Sequence, residues 1–275
     1  MSIFESIIYG LVSGITEFLP VSSNAHQILL RYLFGVDSRV PLQELLVHIG
    51  VLLAIFAGCK DVLFRLRIEQ RTLSNSRRKR HSTDSRSYFD LRLLKTACVP
   101  LLLGLLLNIV TFRKESNMGM LIAFSLLNAL ILLLADHTSR GNRDSRTMSG
   151  LDGIVMGIAG ALSAFPGMSR TGMISAYTAA RGAEGENVAN WAVLLGIPAM
   201  LFAICFDLVL LIAMGFMGMT FVMFLGYVLS GVMAFAGAYL GISLLKIALN
   251  QSGFSGFAYY GIGTALFSFI LYLIT

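Results

Sequence analysis

The chain has 275 residues, of which 56% are hydrophobic and 13% are charged, and its mean hydropathy is +0.76. Because soluble domains carry about 25% charged residues, this composition excludes an ordinary soluble protein and predicts an all-α polytopic membrane protein. The formal net charge of +6 does not indicate nucleic acid, since ten Lys or Arg residues fall between Arg65 and Lys95. Such a basic run is typical of a cytoplasmic loop, so we expect a lipid bilayer around this protein and no nucleic-acid partner.

The N-terminus and the cysteines carry no export or disulfide signal. No basic segment precedes the first apolar run, and no small-residue cleavage site follows it, so we expect no signal peptide. Cys59, Cys98 and Cys205 are odd in number and lie in apolar runs. We therefore expect no disulfide framework among them.

The segment Gly14–His26 places a carboxylate, a proline, two hydroxyls and an imidazole within apolar sequence. Ionisable groups at membrane depth are costly and normally face a cavity or a partner, so this segment is a candidate functional site. The flanking apolar runs, 3–18 and 24–35, are each shorter than the about 20 residues that a spanning helix needs. We therefore predict a re-entrant hairpin over residues 3–35, with a single spanning helix kinked at Pro20 as the alternative.

The next apolar run predicts a first full span at residues 44–64. Glu44 and His48 lie one helical turn apart near its start and share a face, so they either cap a helix end or contribute to a site. The basic segment 65–92 should be cytoplasmic by the positive-inside rule. Its run Arg77–Arg80 determines topology or contacts anionic lipid.

Two further spans are predicted at residues 91–112 and 118–136, with a tight turn between them. The loop 137–149 carries three arginines and should also be cytoplasmic. This placement agrees with two membrane crossings after the first basic loop.

Residues 151–180 repeat the opening pattern and predict a second re-entrant hairpin, with Arg170 where the first hairpin has a carboxylate. The first apolar run of this hairpin carries a small-residue face suited to close helix packing, formed by Gly153, Gly157 and Gly160. The remaining spans are predicted at residues 188–213, 219–247 and 255–275. Trp191, near the start of the first of these, is predicted to anchor the helix at the membrane interface.

An offset of 146 positions aligns the chain with itself without a gap. The matched pairs include Gly14 with Gly160, Pro20 with Pro166, Ser23 with Ser169, and Asp61 with Asp207. Each half then holds one hairpin and three spans, and since three is odd the halves have opposite orientation. We predict an inverted repeat with units at 1–140 and 150–275, giving six transmembrane helices and two re-entrant hairpins. Chance similarity between Gly-rich apolar segments is the alternative.

The polar loop of the second hairpin is predicted to hold a phosphate. Backbone N–H groups at the broken ends of helices attract anions, and the planar donor fork of Arg170 matches phosphate oxygens. Ser169 and Thr171 flank Arg170 as donors, and Gly167 permits close approach of the backbone to a ligand. The alternative is that Arg170 pairs with Glu17 and only locks the two hairpins together.

The first hairpin carries groups suited to hydrolysis. Ser23 is a candidate nucleophile, and His26, about one turn later, is a candidate base or acid, or else a histidine with a purely structural role. Glu17 is a candidate ligand for a divalent ion that bridges pyrophosphate oxygens. The residues leave open a phosphoseryl intermediate and metal-assisted attack by water. Ser22 is a further candidate phosphate donor, although capping of the following helix is the simpler role.

Two motifs carry a resemblance to a known family: Glu-Phe-Leu-Pro-Val-Ser-Ser-x-x-His at Glu17–His26, and Pro-Gly-x-Ser-Arg-Thr-Gly at Pro166–Gly172. Together with His48-Ile-Gly50 and Leu195-Gly-Ile-Pro198, they resemble the bacitracin-resistance type of undecaprenyl pyrophosphate phosphatase over nearly the whole chain. The resemblance implies a bacterial inner-membrane enzyme that converts undecaprenyl diphosphate to undecaprenyl phosphate. It would thereby recycle the lipid carrier for cell-wall synthesis and confer bacitracin resistance.

The resemblance also implies a divalent cation, Mg²⁺ or Ca²⁺, an active site open to the periplasmic side, and a homodimer. The residues that it carries over as functional are Glu17, Ser23, His26 and Arg170, with Ser169 and Thr171 in the phosphate loop.

The chain departs from the family pattern at several positions. Ser13 stands four residues before Glu17, where the family has a second carboxylate, so a metal would be left to Glu17 with Ser13 nearby. The family usually has an amide near His48 and a hydroxyl where Ile174 stands. A catalytically weakened lipid-binding paralogue is therefore an alternative. A polyprenyl phosphate flippase is another, because inverted repeats with two broken hairpins are typical of transporters, although transport needs no nucleophile such as Ser23.

Overall fold

The computed structural model describes residues 1–36, 39–67, 86–106, 118–138, 141–214, 219–251 and 253–274. Regular structure within these ranges is helical, apart from a single bridge between Arg143 and Ala183. The named helices are α1 (Ile3–Phe18), α2 (Ser23–Leu33), α3 (Pro41–Gly58), α4 (Arg86–Leu105), α5 (Met118–Asp136), α6 (Gly150–Ala161), α7 (Arg170–Ala180), α8 (Gly185–Leu194), α9 (Gly196–Met214), α10 (Phe221–Gln251) and α11 (Ser255–Ile274). A further helical segment covers residues 60–67.

Within the described ranges, five helical stretches are long and apolar enough to cross a membrane, which confirms an all-helical polytopic membrane protein. They are α3, α5, α8 continued by α9, α10 and α11. The predicted span 91–112 is not among them. Its helix, α4, has 20 residues but carries the charged side chains Asp90, Arg92 and Lys95, and residues 107–112 lie outside the described part. Also outside it are Arg140 and most of the basic segment 65–92, including Arg77–Arg80.

The first helix–break–helix unit is formed by α1 and α2, as the sequence predicts. A capping box starts α1: the Ser2 hydroxyl accepts from Glu5 N, and the Glu5 carboxylate accepts from Ser2 N. Pro20 follows the end of α1, since its ring cannot continue a helix. Ser22 then takes a positive φ of 67° and caps α2 through a bond from Ala25 N, which confirms its predicted capping role.

The second unit has the same layout, formed by α6, a 3₁₀ turn at Leu162–Ala164, and α7. Under the offset of 146 positions, α1 maps onto 149–164 and α2 onto 169–179, which lie close to the bounds of the helices in the second unit. Asp152 closes a capping box with Ser149 at the start of α6. Burial opposes ionisation of Asp152, but hydrogen bonds from Ser149, Tyr177 and Arg181 outweigh it and lower its pKa to about 2.

The predicted small-residue face of α6 is confirmed by its packing against α4. A Cβ atom added at Gly157 would lie 2.2 Å from the carbonyl oxygen of Ala97, and one added at Gly153 would lie 2.0 Å from the Thr96 hydroxyl. The same device joins α1 to α10, where a Cβ atom on Gly14 would lie 2.2 Å from the carbonyl oxygen of Ala234. Only glycine fits at these positions, because a Cβ atom would clash with the facing helix. The helix backbones can therefore approach closely, which favours association in a membrane, where the hydrophobic driving force between helices is weak.

The prediction that Trp191 anchors at the membrane interface is wrong. Its side chain is 1% exposed, and its indole Nε1 donates to the Asp90 carboxylate at 3.0 Å. The indole is therefore a core side chain whose N–H is satisfied by a buried acid. The expectation for the three cysteines is confirmed, since all of them are free thiols.

Candidate active site

The two polar segments predicted to meet do so through Glu17. Arg170 donates from Nη2 to the Glu17 carboxylate at 3.1 Å. Thr171, the next residue, donates from its hydroxyl to the backbone carbonyl oxygen of Glu17 at 3.0 Å. The end of α1 is thus bonded to the start of α7, so that the break in one unit faces the break in the other.

Asn128 on α5 adds a second link between the breaks, and it was not singled out from the sequence. Its amide donates to the carbonyl oxygen of Pro20 at 3.0 Å, and its oxygen accepts from the backbone N–H of Ser169 at 2.9 Å. The side chain is buried. A lone amide in an otherwise apolar span was the available signal, because such groups are usually found hydrogen-bonded in membranes.

The predicted phosphate loop is shaped by three residues that are already committed to structural contacts. The Ser169 hydroxyl caps α7 by accepting from Gly172 N, and it donates to the carbonyl oxygen of Leu19 at 3.3 Å. Gly167 has a φ of 103°, and a Cβ atom there would lie 2.6 Å from Ser125 N on α5. The Thr171 hydroxyl is bonded to the carbonyl oxygen of Glu17. Arg170 is therefore the residue of this loop best able to donate a hydrogen bond to a ligand.

Arg170 keeps one nitrogen uncommitted. Its side chain is buried, and Nη1 has no hydrogen-bond partner within the described residues. Gly196 makes room for this group, since a Cβ atom there would lie 2.9 Å from Nη1. The ring of Phe18 lies 5.9 Å from the guanidinium carbon. A buried guanidinium with an unsatisfied N–H is costly unless a ligand satisfies it, so this nitrogen is a candidate anion-binding group.

A cavity of about 120 Å³ opens beside Arg170 and has two kinds of wall. The polar wall includes Glu17, Ser23, Asn24, Gln27, Arg39, His48, Ser163, Ser169, Arg170 and Asp207. The apolar wall includes Leu105, Met168, Ala199, Met200, Phe202, Ala203 and Phe206. This division suits a ligand with a charged head and a hydrocarbon tail.

Ser23 and His26 are not joined by a hydrogen bond, although the sequence placed them close enough to meet. The Ser23 hydroxyl lines the cavity and donates to the carbonyl oxygen of Ser13 at 3.2 Å. His26 bonds through Nδ1 to the carbonyl oxygen of Ser22, and through Nε2 to the Tyr260 hydroxyl, each at 2.8 Å. Because a carbonyl only accepts, Nδ1 carries a proton, and both ring nitrogens are occupied in this arrangement.

Glu44 and His48 share a helix face as predicted, but they bond to different partners. Glu44 accepts from the Tyr9 hydroxyl and forms ion pairs with Arg31 and Arg39, at 3.5 Å and 3.8 Å. His48 instead contacts α9, where its Nδ1 lies 2.6 Å from the Asp207 carboxylate.

His48 and Asp207 both line the cavity, whereas Glu44 is buried behind it. Sequence reasoning did not single out Asp207 as a site residue. The signal was present, since the repeat offset matches it to Asp61 and places a carboxylate in an apolar span.

The described residues do not form a metal site by themselves. They include no group of three or more His, Cys, Asp or Glu side chains that could hold an ion. Glu17 is bonded to Arg170, and the nearby Ser13 hydroxyl is buried without a hydrogen-bond partner in the described part of the chain. A divalent ion would therefore need ligands from outside this set, such as the phosphates of a substrate.

Comparison with known proteins agrees with the motifs and with the all-helical fold. Residues 6–267 match the family described as Bacitracin resistance protein BacA. The chain belongs to this family. It is 33% identical to an undecaprenyl-diphosphatase of Carboxydothermus hydrogenoformans, over 76% of this chain and 74% of that one.

Two further relatives of the same name match over nearly the full length. The protein of Methanosphaera stadtmanae is 31% identical, over 98% of this chain and all of the relative. That of Idiomarina loihiensis is 28% identical, over 99% of this chain and all of the relative. The family membership therefore covers both helix–break–helix units and the cavity between them.

Proposed function

We propose that this protein hydrolyses undecaprenyl diphosphate to undecaprenyl phosphate and inorganic phosphate. This reaction recycles the lipid carrier for cell-wall synthesis and confers bacitracin resistance. Membership of the BacA family and the shared name of the relatives support the activity. The observation that carries the proposal is the uncommitted Nη1 of Arg170, buried beside a cavity with one apolar wall.

The cavity matches the two parts of a lipid diphosphate. The terminal phosphate would accept from Arg170, whose charge and N–H groups are desolvated and therefore bind an anion strongly. The first prenyl units would lie along Phe202 and Phe206 on α9. The outer face of α9 exposes Val209 and Ile212, which suits contact with lipid.

The chemical step has two routes that use residues of the same wall. In one, the Ser23 oxygen attacks the terminal phosphorus, the bond to the bridging oxygen breaks, and undecaprenyl phosphate leaves as the hydroxyl proton passes to its oxygen or to water. Water then hydrolyses the phosphoserine, which releases inorganic phosphate and restores the hydroxyl. In the other, water attacks directly. Arg170 stabilises the charge on the phosphoryl oxygens in both, and the Glu17 carboxylate keeps the guanidinium in place.

We also propose the finer membrane arrangement that the sequence predicts. The units α1–α2 and α6–α7 are placed as re-entrant hairpins, and residues 1–140 and 150–275 as inverted repeats with six spans in all. Counting membrane crossings from the cytoplasmic basic loops places the first hairpin on the outer side and the second on the cytoplasmic side. That the site opens to the periplasmic side of a bacterial inner membrane is proposed from the family resemblance. Close glycine packing of α1 on α10 and of α6 on α4 supports hairpins held within the protein. A homodimer is proposed from the family resemblance.

A divalent cation, Mg²⁺ or Ca²⁺, is likewise proposed from the resemblance. It would bind together with the diphosphate, with Glu17 as the candidate carboxylate, because Mg²⁺ commonly binds through few carboxylates and the phosphates of a substrate.

The decisive experiment measures inorganic phosphate released from a prenyl diphosphate by the purified protein in detergent, with and without a chelator. Release that is lost in Arg170→Ala and retained in Arg65→Ala, a control at an exposed arginine, would support the proposal. Absence of release with every divalent ion would rule out the hydrolase. If proteoliposomes then moved a prenyl phosphate between leaflets, the flippase would replace it.

A further inference from the structure

The contact between His48 and Asp207 joins the two halves of the chain at the cavity. His48 lies on α3 and Asp207 on α9, and their side chains approach to 2.6 Å between Nδ1 and Oδ2. Both side chains are largely buried, at 12% and 3% exposure. Because Nδ1 is held by a carboxylate, the ring orientation is defined, and the opposite nitrogen, Nε2, is the one left for other partners.

Nε2 of His48 makes no hydrogen bond to any residue that the structure describes. The other charged groups near this ring are already engaged. Glu44, one turn earlier on α3, is bonded to Tyr9 and paired with Arg31 and Arg39. Since His48 lines the same cavity as Arg170, its imidazole is available to a ligand there.

A diphosphate needs more donors than the second unit provides. Of the two terminal nitrogens of Arg170, Nη2 is bonded to Glu17 and Nη1 is uncommitted. The hydroxyl groups of Ser169 and Thr171 are bonded to backbone oxygens of the first unit. The remaining phosphate oxygens must therefore find donors elsewhere on the polar wall, which also carries Ser23, Asn24, Gln27, Arg39 and His48.

We propose that His48 is a phosphate-binding residue of this protein, donating from Nε2 to the diphosphate, and that Asp207 positions it. The carboxylate accepts from Nδ1 and stabilises the imidazolium, which then presents an N–H at Nε2. This inference rests on the proposed function, and it adds to that function a second cationic donor carried by the first half of the chain.

Two substitutions of His48 distinguish the role of its Nδ1 atom from that of its Nε2 atom. Asn at position 48 places its amide where Nδ1 lies, so His48→Asn keeps the bond to Asp207 and removes the donor that faces the cavity. Gln extends its amide to the position of Nε2, so His48→Gln keeps a donor toward the ligand and loses the bond to Asp207. His137→Gln is the matched control, because His137 is exposed and, among the described residues, its one bond is to the Leu133 carbonyl oxygen of the preceding turn.

The measurements are KM and kcat for phosphate release, and calorimetric binding of a prenyl methylenediphosphonate, whose P–C–P bridge resists hydrolysis. For His48→Asn we expect KM and the analogue dissociation constant to rise by about tenfold or more, as for loss of a hydrogen bond to a charged group. For His48→Gln we expect both to stay within a few-fold of the wild type, with a lower unfolding temperature. His137→Gln should change none of these.

The opposite pattern of analogue binding in the two variants would overturn the inference. If His48→Asn binds the analogue normally while His48→Gln loses binding together with its folded structure, the His48–Asp207 contact is a structural ion pair only. Equal, wild-type binding in both variants would also exclude a role for Nε2. Binding of the analogue does not depend on turnover. If the wild type releases no phosphate, the proposed function is refuted, but the binding measurements still decide whether His48 contacts the ligand.

Discussion

The guanidinium of Arg170 donates to the carboxylate of Glu17 at 3.1 Å and keeps its other terminal nitrogen uncommitted. The two readings of Arg170 left open by the sequence, a lock between hairpins and a phosphate ligand, are therefore compatible. One nitrogen joins the two helix–break–helix units, and the other remains for a ligand. The bond to Glu17 also holds the Arg170 guanidinium in a defined orientation, which lowers the entropic cost of binding a ligand.

Replacing Arg170 with Lys should lower kcat/KM by about tenfold to a hundredfold, the effect of one lost hydrogen bond to a charged group. A single ammonium cannot reproduce a planar fork that contacts Glu17 and a phosphate in different directions. Phosphate release from a prenyl diphosphate measures the effect. Arg65→Lys, at an exposed arginine, serves as the control, and wild-type rates in Arg170→Lys would contradict the phosphate role.

Replacing Gly196 with Ala should reduce activity without reducing stability. The added Cβ atom would lie 2.9 Å from Arg170 Nη1, and the flexible end of that side chain can move away. Gly196 is the first residue of α9, where the preference for Ala over Gly is smaller than in a helix interior, so the unfolding temperature should stay close to that of the wild type.

The control for this variant is Gly263→Ala on α11, where an added Cβ atom meets nothing within 4 Å. Comparing KM and thermal unfolding for the two variants checks the prediction. Unchanged kinetics in Gly196→Ala would show that the position of Arg170 Nη1 is not critical.

Replacing Asn128 with Asp should destabilise the protein and impair phosphate release. The carboxylate can still accept from Ser169 N, but it cannot donate to the Pro20 carbonyl oxygen, and it adds a buried charge. An unsatisfied buried partner costs about 1–3 kcal/mol.

Thermal unfolding and kinetics, with the exposed Asn142→Asp as control, check this prediction. A variant with wild-type stability would mean that Asn128 does not hold the two breaks together.

Replacing Ser13 with Glu should lower the concentration of divalent ion needed for half-maximal activity. Ser13 lies one helical turn before Glu17, is buried, and its hydroxyl has no partner in the described part of the chain. A second carboxylate on this face would add a hard oxygen ligand.

Metal titrations of wild type, Ser13→Glu and the uncharged Ser13→Gln provide the comparison. Coincident curves for all three would indicate that position 13 does not face the bound ion.

Prediction from the sequence succeeded where a residue type constrains its own neighbourhood. The breaks at Pro20 and Pro166, the capping by Ser22 and the close packing at Gly153 and Gly157 depend on local backbone chemistry. The pairing of Glu17 with Arg170 was foreseen as the alternative to phosphate binding, and it forms because ionisable groups at membrane depth are usually paired with one another. The family motifs lie on the same residues, which is why the family could be named before the fold was known.

Prediction failed where the partner of a side chain lies on a distant helix. Trp191 was assigned to the interface because its partner, Asp90, is 101 positions away. His48 was considered with Glu44, its neighbour on one helix, whereas its carboxylate partner is Asp207 on another. His26 was paired with Ser23 by sequence proximity, yet its ring bonds to Tyr260 on α11.

The sequence by itself therefore determined the class of protein, the position of both breaks and the chemical character of the site. These depend on hydropathy, on proline and glycine geometry, and on the cost of placing charge in a membrane. Only the tertiary structure decided which donors are consumed by internal bonds and which remain for a ligand. That distinction depends on how α3, α5, α7 and α9 pack around the two breaks, and hydrogen-bond partners across helices are set by packing rather than by spacing along the chain.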